Sequence, residues 1–188
     1  MNSNNQIISA YVADNLETEF INQKEFVLHN NNNHNRWLGF LNAIEHASNN
    51  DDDVILICFK GHRFSKEFNK AIFIDYIMRS AKLGTHILLG DCGYFCNLVP
   101  VDKGLYWVDT FSSSCFYVVF RHAFQLIMNI EAKENDTLEV LLSKNVPNKL
   151  LAVPFFSSPI NIKSKGVIER LSIYQLITCR YNLLHNRK

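Results

Sequence analysis

Two polar residues follow the apolar run Val54-Ile55-Leu56-Ile57-Cys58-Phe59: Lys60 and, past Gly61, His62. A run this short and apolar throughout reads as a strand covered on both faces. Open α/β sheets bind ligands beyond the carboxyl ends of such strands. An ammonium and an imidazole there could hold an anion such as a diphosphate; the competing reading is a glycine turn carrying a solvated lysine. Asp91 follows a second apolar run, 86–89, beside Gly90 and Gly93. As a single carboxylate it is a poor site for Mg²⁺ or Mn²⁺, which take several oxygen ligands. Asp109 closes Tyr106-Trp107-Val108-Asp109 and reads either as a general base or as a turn and capping acid beside Thr110. Asp136 reads either as a ligand-binding acid or as the N-cap of a helix starting near Thr137. Asp51, Asp52 and Asp53 precede their strand and read as solvated loop acids at the opposite end.

The cysteines offer less. Five of them, at 58, 92, 96, 115 and 179, make an odd number in mostly apolar surroundings, as reduced thiols of a cytoplasmic protein would. Cys92 and Cys96 near His86 lack a second ligand pair at finger-like spacing, so no zinc site is expected. With 188 residues, 47% of them apolar, one domain over 1–188 with a substantial core is expected. The formal net charge of +1 provides no global field for nucleic acid or a membrane. Residues 161–188 are locally basic, with Lys163, Lys165, Arg170, Arg180, Arg187 and Lys188 against Glu169. That segment reads as a solvated helix face or as a steering surface for an acidic partner. No apolar stretch approaches the roughly 18 residues of a membrane helix, and the first residues show no signal pattern.

The elements that must position these residues follow from periodicity. Residues 6–12 are β-prone, and 30–35, nearly all Asn, read as a loop. Trp37, Phe40, Leu41 and Ile44 recur at helical spacing. Ser65 is expected to cap a helix reaching Leu83, with Gly84 as its stop. Strands are expected at 54–59, 86–89, 105–109, 115–120 and 150–155, and helices at 122–132, 137–144 and 167–184. Strands alternating with helices, plus one adjacent strand pair, predict an α/β fold with a mixed, mostly parallel sheet flanked by helices.

The succession of blocks carries a resemblance. Trp37-Leu38-Gly39-Phe40, Val54 to Cys58, His86-Ile87-Leu88-Leu89-Gly90, Val99-Pro100-Val101, Tyr106-Trp107-Val108-Asp109, Asp136-Thr137 and Pro154-Phe155-Phe156-Ser157 follow one another in order. This order, over roughly residues 36 to 158, resembles a bacterial glycosyltransferase family of surface-polysaccharide assembly related to the family-25 lipopolysaccharide enzymes. The resemblance implies a type-A glycosyltransferase fold and a nucleotide-diphosphate sugar held near Lys60, His62, Asp91 and Asp136, with Asp109 as candidate base. In that family an acidic cluster follows the 54–58 strand and holds Mn²⁺ or Mg²⁺ against the diphosphate. Here those positions read Phe59-Lys60-Gly61, with only His62 kept, and an ammonium repels a divalent cation. Glu139, Cys115 and Pro159 replace other polar positions of the pattern, and Ala13-Asp14-Asn15-Leu16 replaces an Arg-rich loop. The expectation is a protein without a metal cofactor that has lost catalysis and works with a protein partner, such as an active relative. The alternative is a metal-independent transferase using Lys60 and His62.

Overall fold

The computed structural model describes residues 8–13, 26–31, 35–59, 62–65 and 68–157. Strands β1 (Ile8–Ala13) and β2 (Phe26–Asn31) lead to helix α1 (Arg36–Asn49) and strand β3 (Val54–Cys58). Helix α2 (Lys70–Lys82) and strand β4 (Ile87–Leu89) come next. Four short strands follow: β5 (Tyr94–Phe95), β6 (Leu98–Asp102), β7 (Leu105–Val108) and β8 (Phe111–Ser112). After β9 (Phe116–Phe120), a 3₁₀ turn at Arg121–Ala123 leads into α3 (Phe124–Met128), then α4 (Leu138–Asn145) and β10 (Lys149–Ala152).

Eight strands form one sheet in the order β2-β1-β3-β9-β4-β10-β7-β6, and β5 and β8 form a separate antiparallel ribbon. The mixed α/β class is as expected, and the parallel bias holds for strand direction only. Six strands run one way, while β9 and β7 run the other. Because those two sit between co-directional neighbours, only β1–β2, β1–β3 and β4–β10 pair in parallel; the other four pairings are antiparallel.

Alternation along the central strands divides the core into two layers. Ile55, Ile57, Ile87, Leu89, Tyr117, Val119 and Leu151 face α1, α3 and α4. Leu56, Cys58, Leu88, Phe116, Val118 and Leu150 face α2 through Phe73, Tyr76 and Ile77. Helix α1 buries Trp37, Phe40, Ala43, Ile44 and Ala47, and the Asn35 side chain caps it by accepting from the Trp37 and Leu38 amides at 2.9 and 3.2 Å. Helix α2 begins later than expected, because Asn69 rather than Ser65 is its cap. It ends as expected at Gly84, whose φ of +65° suits glycine. The helix expected over 122–132 is the short α3 with its 3₁₀ entry. The helix expected over 167–184, with the basic segment 161–188, lies outside the described residues. Among the described residues no helix is long and apolar enough to cross a membrane.

Candidate functional site

The carboxyl edge of the central sheet is where a ligand site was expected, and four segments meet there. The Phe59 amide donates to the Cys115 carbonyl at 2.9 Å, and the Gly90 amide donates to the Phe116 carbonyl at 3.0 Å. After β10 the chain turns back, so that the Phe156 and Ser157 amides both donate to the Gly90 carbonyl, at 2.8 and 3.1 Å. Gly90 admits no side chain: a Cβ there would lie 2.1 Å from Phe116 Cδ1.

Asp91 and His62 lie inside this junction, at 0% and 3% exposure. Asp91 Oδ1 accepts from the Ser114 hydroxyl at 2.7 Å and from the Cys115 and Phe116 amides at 2.9 and 3.2 Å. Burial pushes its pKa up to about 6, against the opposing pull of those donors and of the Ser157 hydroxyl. Oδ2 has no hydrogen-bond partner. His62 Nδ1 lies 2.8 Å from Ser157 Oγ, and its ring packs on Phe64 and Phe116 with centroids 4.8 and 4.9 Å apart. Burial pushes the imidazole down to a pKa of about 3, so it is neutral at physiological pH.

This cluster has the residue types of a serine hydrolase but not the geometry. The acid engages Ser114 and backbone amides rather than the imidazole, and neither Ser157 nor His62 reaches solvent. Cys115 is no nucleophile either. Burial, with Asp91 and Glu139 adding to it and Arg36 opposing, raises its thiol to about 11. Among the described residues no three His, Cys, Asp or Glu side chains converge as a metal-ligand set.

A second, part-buried polar group continues the first onto the other face of the sheet. Glu139 Oε1 accepts from Arg36 Nη1 at 2.7 Å and from the Tyr117 hydroxyl at 3.4 Å. Arg36 Nη2 and Tyr117 also donate to the Ser114 carbonyl, at 2.6 and 3.0 Å, and the guanidinium lies 4.5 Å from the Phe59 ring centre. Ser114 thus joins the two groups, with its hydroxyl on Asp91 and its carbonyl on Arg36. Sequence reading missed Arg36, Ser114 and Tyr117 as site residues. The acid after Asp136 was the only signal, and its partner is 103 positions away.

Asp109 and Asp136, also expected at the site, do not join this cluster. Asp109 follows β7, which runs antiparallel to β10, so it sits at the opposite, amino edge of the sheet. Its carboxylate accepts from the Asn97 amide at 2.9 Å, from Asn97 Nδ2 at 2.6 Å and from Thr110. Burial would raise its pKa, but these donors outweigh it and hold the carboxyl below its usual range. Those are the contacts of the turn-acid reading. Asp136 accepts from the Lys133 amide at 3.1 Å, and the cap of α4 is Thr137, which accepts from the Val140 amide. Lys60 and Pro159 lie outside the described residues.

The amino edge carries an open cleft of about 570 Å³ lined by Asp53, Ala81, Phe120, Arg121, His122 and Gln125. Arg121 pairs there with Asp51 and with Asp53, and both acids are exposed.

No protein-family model matches the sequence, and no curated protein matches it. Solved structures with similar backbones include apo UDP-glucose pyrophosphorylase at 8% identity and a TM-score of 0.49, over 81% of this chain and 64% of that one. UDP-glucose pyrophosphorylase complexed with UDP-glucose gives 7% identity and 0.49, over 80% and 66%. The protein A197 from STIV gives 13% identity and 0.47, over 77% and 81%. The chain therefore spans under two thirds of the length of the first two structures.

Proposed function

We propose that this chain is a glycosyltransferase-like protein that does not transfer sugar and acts through a protein partner. The observation that carries the reading is the burial of His62 and Asp91 at the carboxyl edge. A sugar diphosphate needs exposed donors or a cation at that edge. A neutral imidazole under Phe64 and Phe116 offers neither, and the Asp91 oxygen that is hydrogen-bonded serves the protein's own backbone. The same neutrality of His62 removes it as a charged partner in the metal-independent transferase, leaving Lys60 alone to meet the diphosphate. The sequence adds its own support: the strand runs keep their apolar pattern where the acidic motif of the family it resembles is replaced.

The test is affinity capture from the native host, followed by size-exclusion chromatography of the co-expressed pair. A stoichiometric complex with one defined protein, and no sugar transfer by this chain alone, is expected. Sugar transfer from a lone monomer, with no specific partner recovered, would replace this reading with the enzyme.

A further inference from the structure

The outermost strand of the sheet meets helix α1 through a pair of histidines that have no part in the carboxyl-edge cluster. His29 of β2 and His46 of α1 lie with ring centroids 4.7 Å apart. His29 also stacks on Tyr11 of β1, its partner in the parallel register, at 4.7 Å and 17°. The hydrogen bonds define which form of His46 the fold accepts. Its Nδ1 lies 2.9 Å from the Tyr11 hydroxyl and 2.9 Å from Asn50 Nδ2. An amide nitrogen can only donate, so Nδ1 must present its lone pair and the ring must be the neutral Nε2–H tautomer. A proton on Nδ1 would face the Asn50 amide hydrogens and force the Tyr11 hydroxyl to turn round.

We infer that His29, Tyr11 and His46 form an acid-sensitive latch that holds β2 against α1 while both imidazoles are neutral and releases it when they are protonated. Two imidazoliums at this separation repel, with water screening part of the effect because His46 is exposed, and among the described residues little charge compensates. Strand β1 brings only Tyr11, and β3 and α3 turn no charged side chain toward the pair. Glu45 on α1 is exposed and Asp51 is engaged by Arg121. Among the described residues the remaining acid is Asp52, in the turn after α1, whose Oδ2 is buried without a hydrogen bond. Its attraction for a charged His29 is smaller than the opposing effects of burial and of His46, which leave the His29 pKa below its usual value. Tyr11 offers no negative charge, since burial and then Asp52 push its hydroxyl up to about 12.

Hydrogen exchange of the full chain, corrected for the intrinsic pH effect, tests the latch. Amides in 26–31 are expected to exchange about tenfold faster or more at about pH 5 than at about pH 7.5, while those in 54–58 keep their protection. In His46→Gln the amide oxygen can accept from Tyr11 and Asn50 at either pH, so the acceleration should largely vanish. His29→Gln, which removes the repulsion from the other side, should reduce it as well and serves if the first variant misfolds. Equal protection of 26–31 at both pH values in the wild type would overturn the latch. So would an undiminished acceleration in both variants with 54–58 still protected.

Discussion

The two ends of the central strands treat charge in opposite ways. At the amino edge Asp51, Asp53 and Arg121 pair in solvent around an open cleft, where water and salt screen them and each contributes little to stability. At the carboxyl edge His62, Asp91 and Glu139 are inside the protein, where their hydrogen bonds act at low dielectric, while Arg36, the partner of Glu139, is part-exposed. Burial at that edge costs desolvation, which is offset only because Ser114, Ser157, Arg36 and two backbone amides supply hydrogen bonds. The amino edge could therefore lose a charge without consequence, whereas the carboxyl edge cannot. The edge beyond which open α/β sheets bind ligands is here occupied by the buried His62, Asp91 and Glu139.

Removing one charged residue from each end breaks or confirms this contrast. Asp91→Ala would leave the Ser114 hydroxyl and the Cys115 and Phe116 amides without their acceptor, at an expected cost of about 3–5 kcal/mol in urea denaturation. Arg121→Ala, at the exposed edge, should leave the urea midpoint unchanged within error. If the two variants prove equally mild, the carboxyl edge is not the sealed network described.

A smaller effect sharpens the same contrast through pH. His62 has a folded pKa of about 3 against an ordinary 6.5, so its contribution is complete above pH 6.5 and is lost as pH falls toward 3. Asp91 works in the other direction. Its folded pKa of about 6 lies above the ordinary 3.8, so its protonated form favours the fold at low pH and that advantage is lost as pH rises through 6. Between about pH 6 and 3.8 the two changes oppose each other, so stability should fall on acidification from 6.5 to 6, stay nearly level to about 3.8 and fall again toward 3. His62→Gln should remove both falls and leave stability rising as pH drops from 6 toward 3.8, measured as urea midpoints across the range. An unchanged acid limb in His62→Gln would mean that His62 is not held neutral by the fold.

Much of the scaffold was legible because periodicity and burial agree along a single segment. Val54 to Cys58 is apolar at every position because it is covered on both faces, and Trp37, Phe40 and Ile44 mark the buried stripe of α1. Strand β6 was missed because Val99, Pro100 and Val101 are exposed and a proline with a bulge marks an edge strand. Strand β2 was missed because Asn30 and Asn31, loop residues by composition, end it. The polar cluster was only half legible. His62 and Asp91 could be placed at strand ends, but their partners are a serine, backbone amides and an arginine distant in sequence. Whether a polar side chain at a strand end faces water or the interior depends on which loop folds over it, and here the returning 156–157 segment does so. The edge at which Asp109 lies was not legible, because the reversal of β7 is a property of pairing that its own residues do not encode.

Calorimetric titration with uridine and guanosine diphosphate sugars, with and without Mn²⁺, tests the central claim most directly. Sealed His62 and Asp91 predict no measurable binding in either condition, and no gain from the metal. A metal-dependent tightening of about tenfold, or about 1.4 kcal/mol, would contradict the account, because it would mean that the carboxyl edge opens and that its carboxylates still hold a cation.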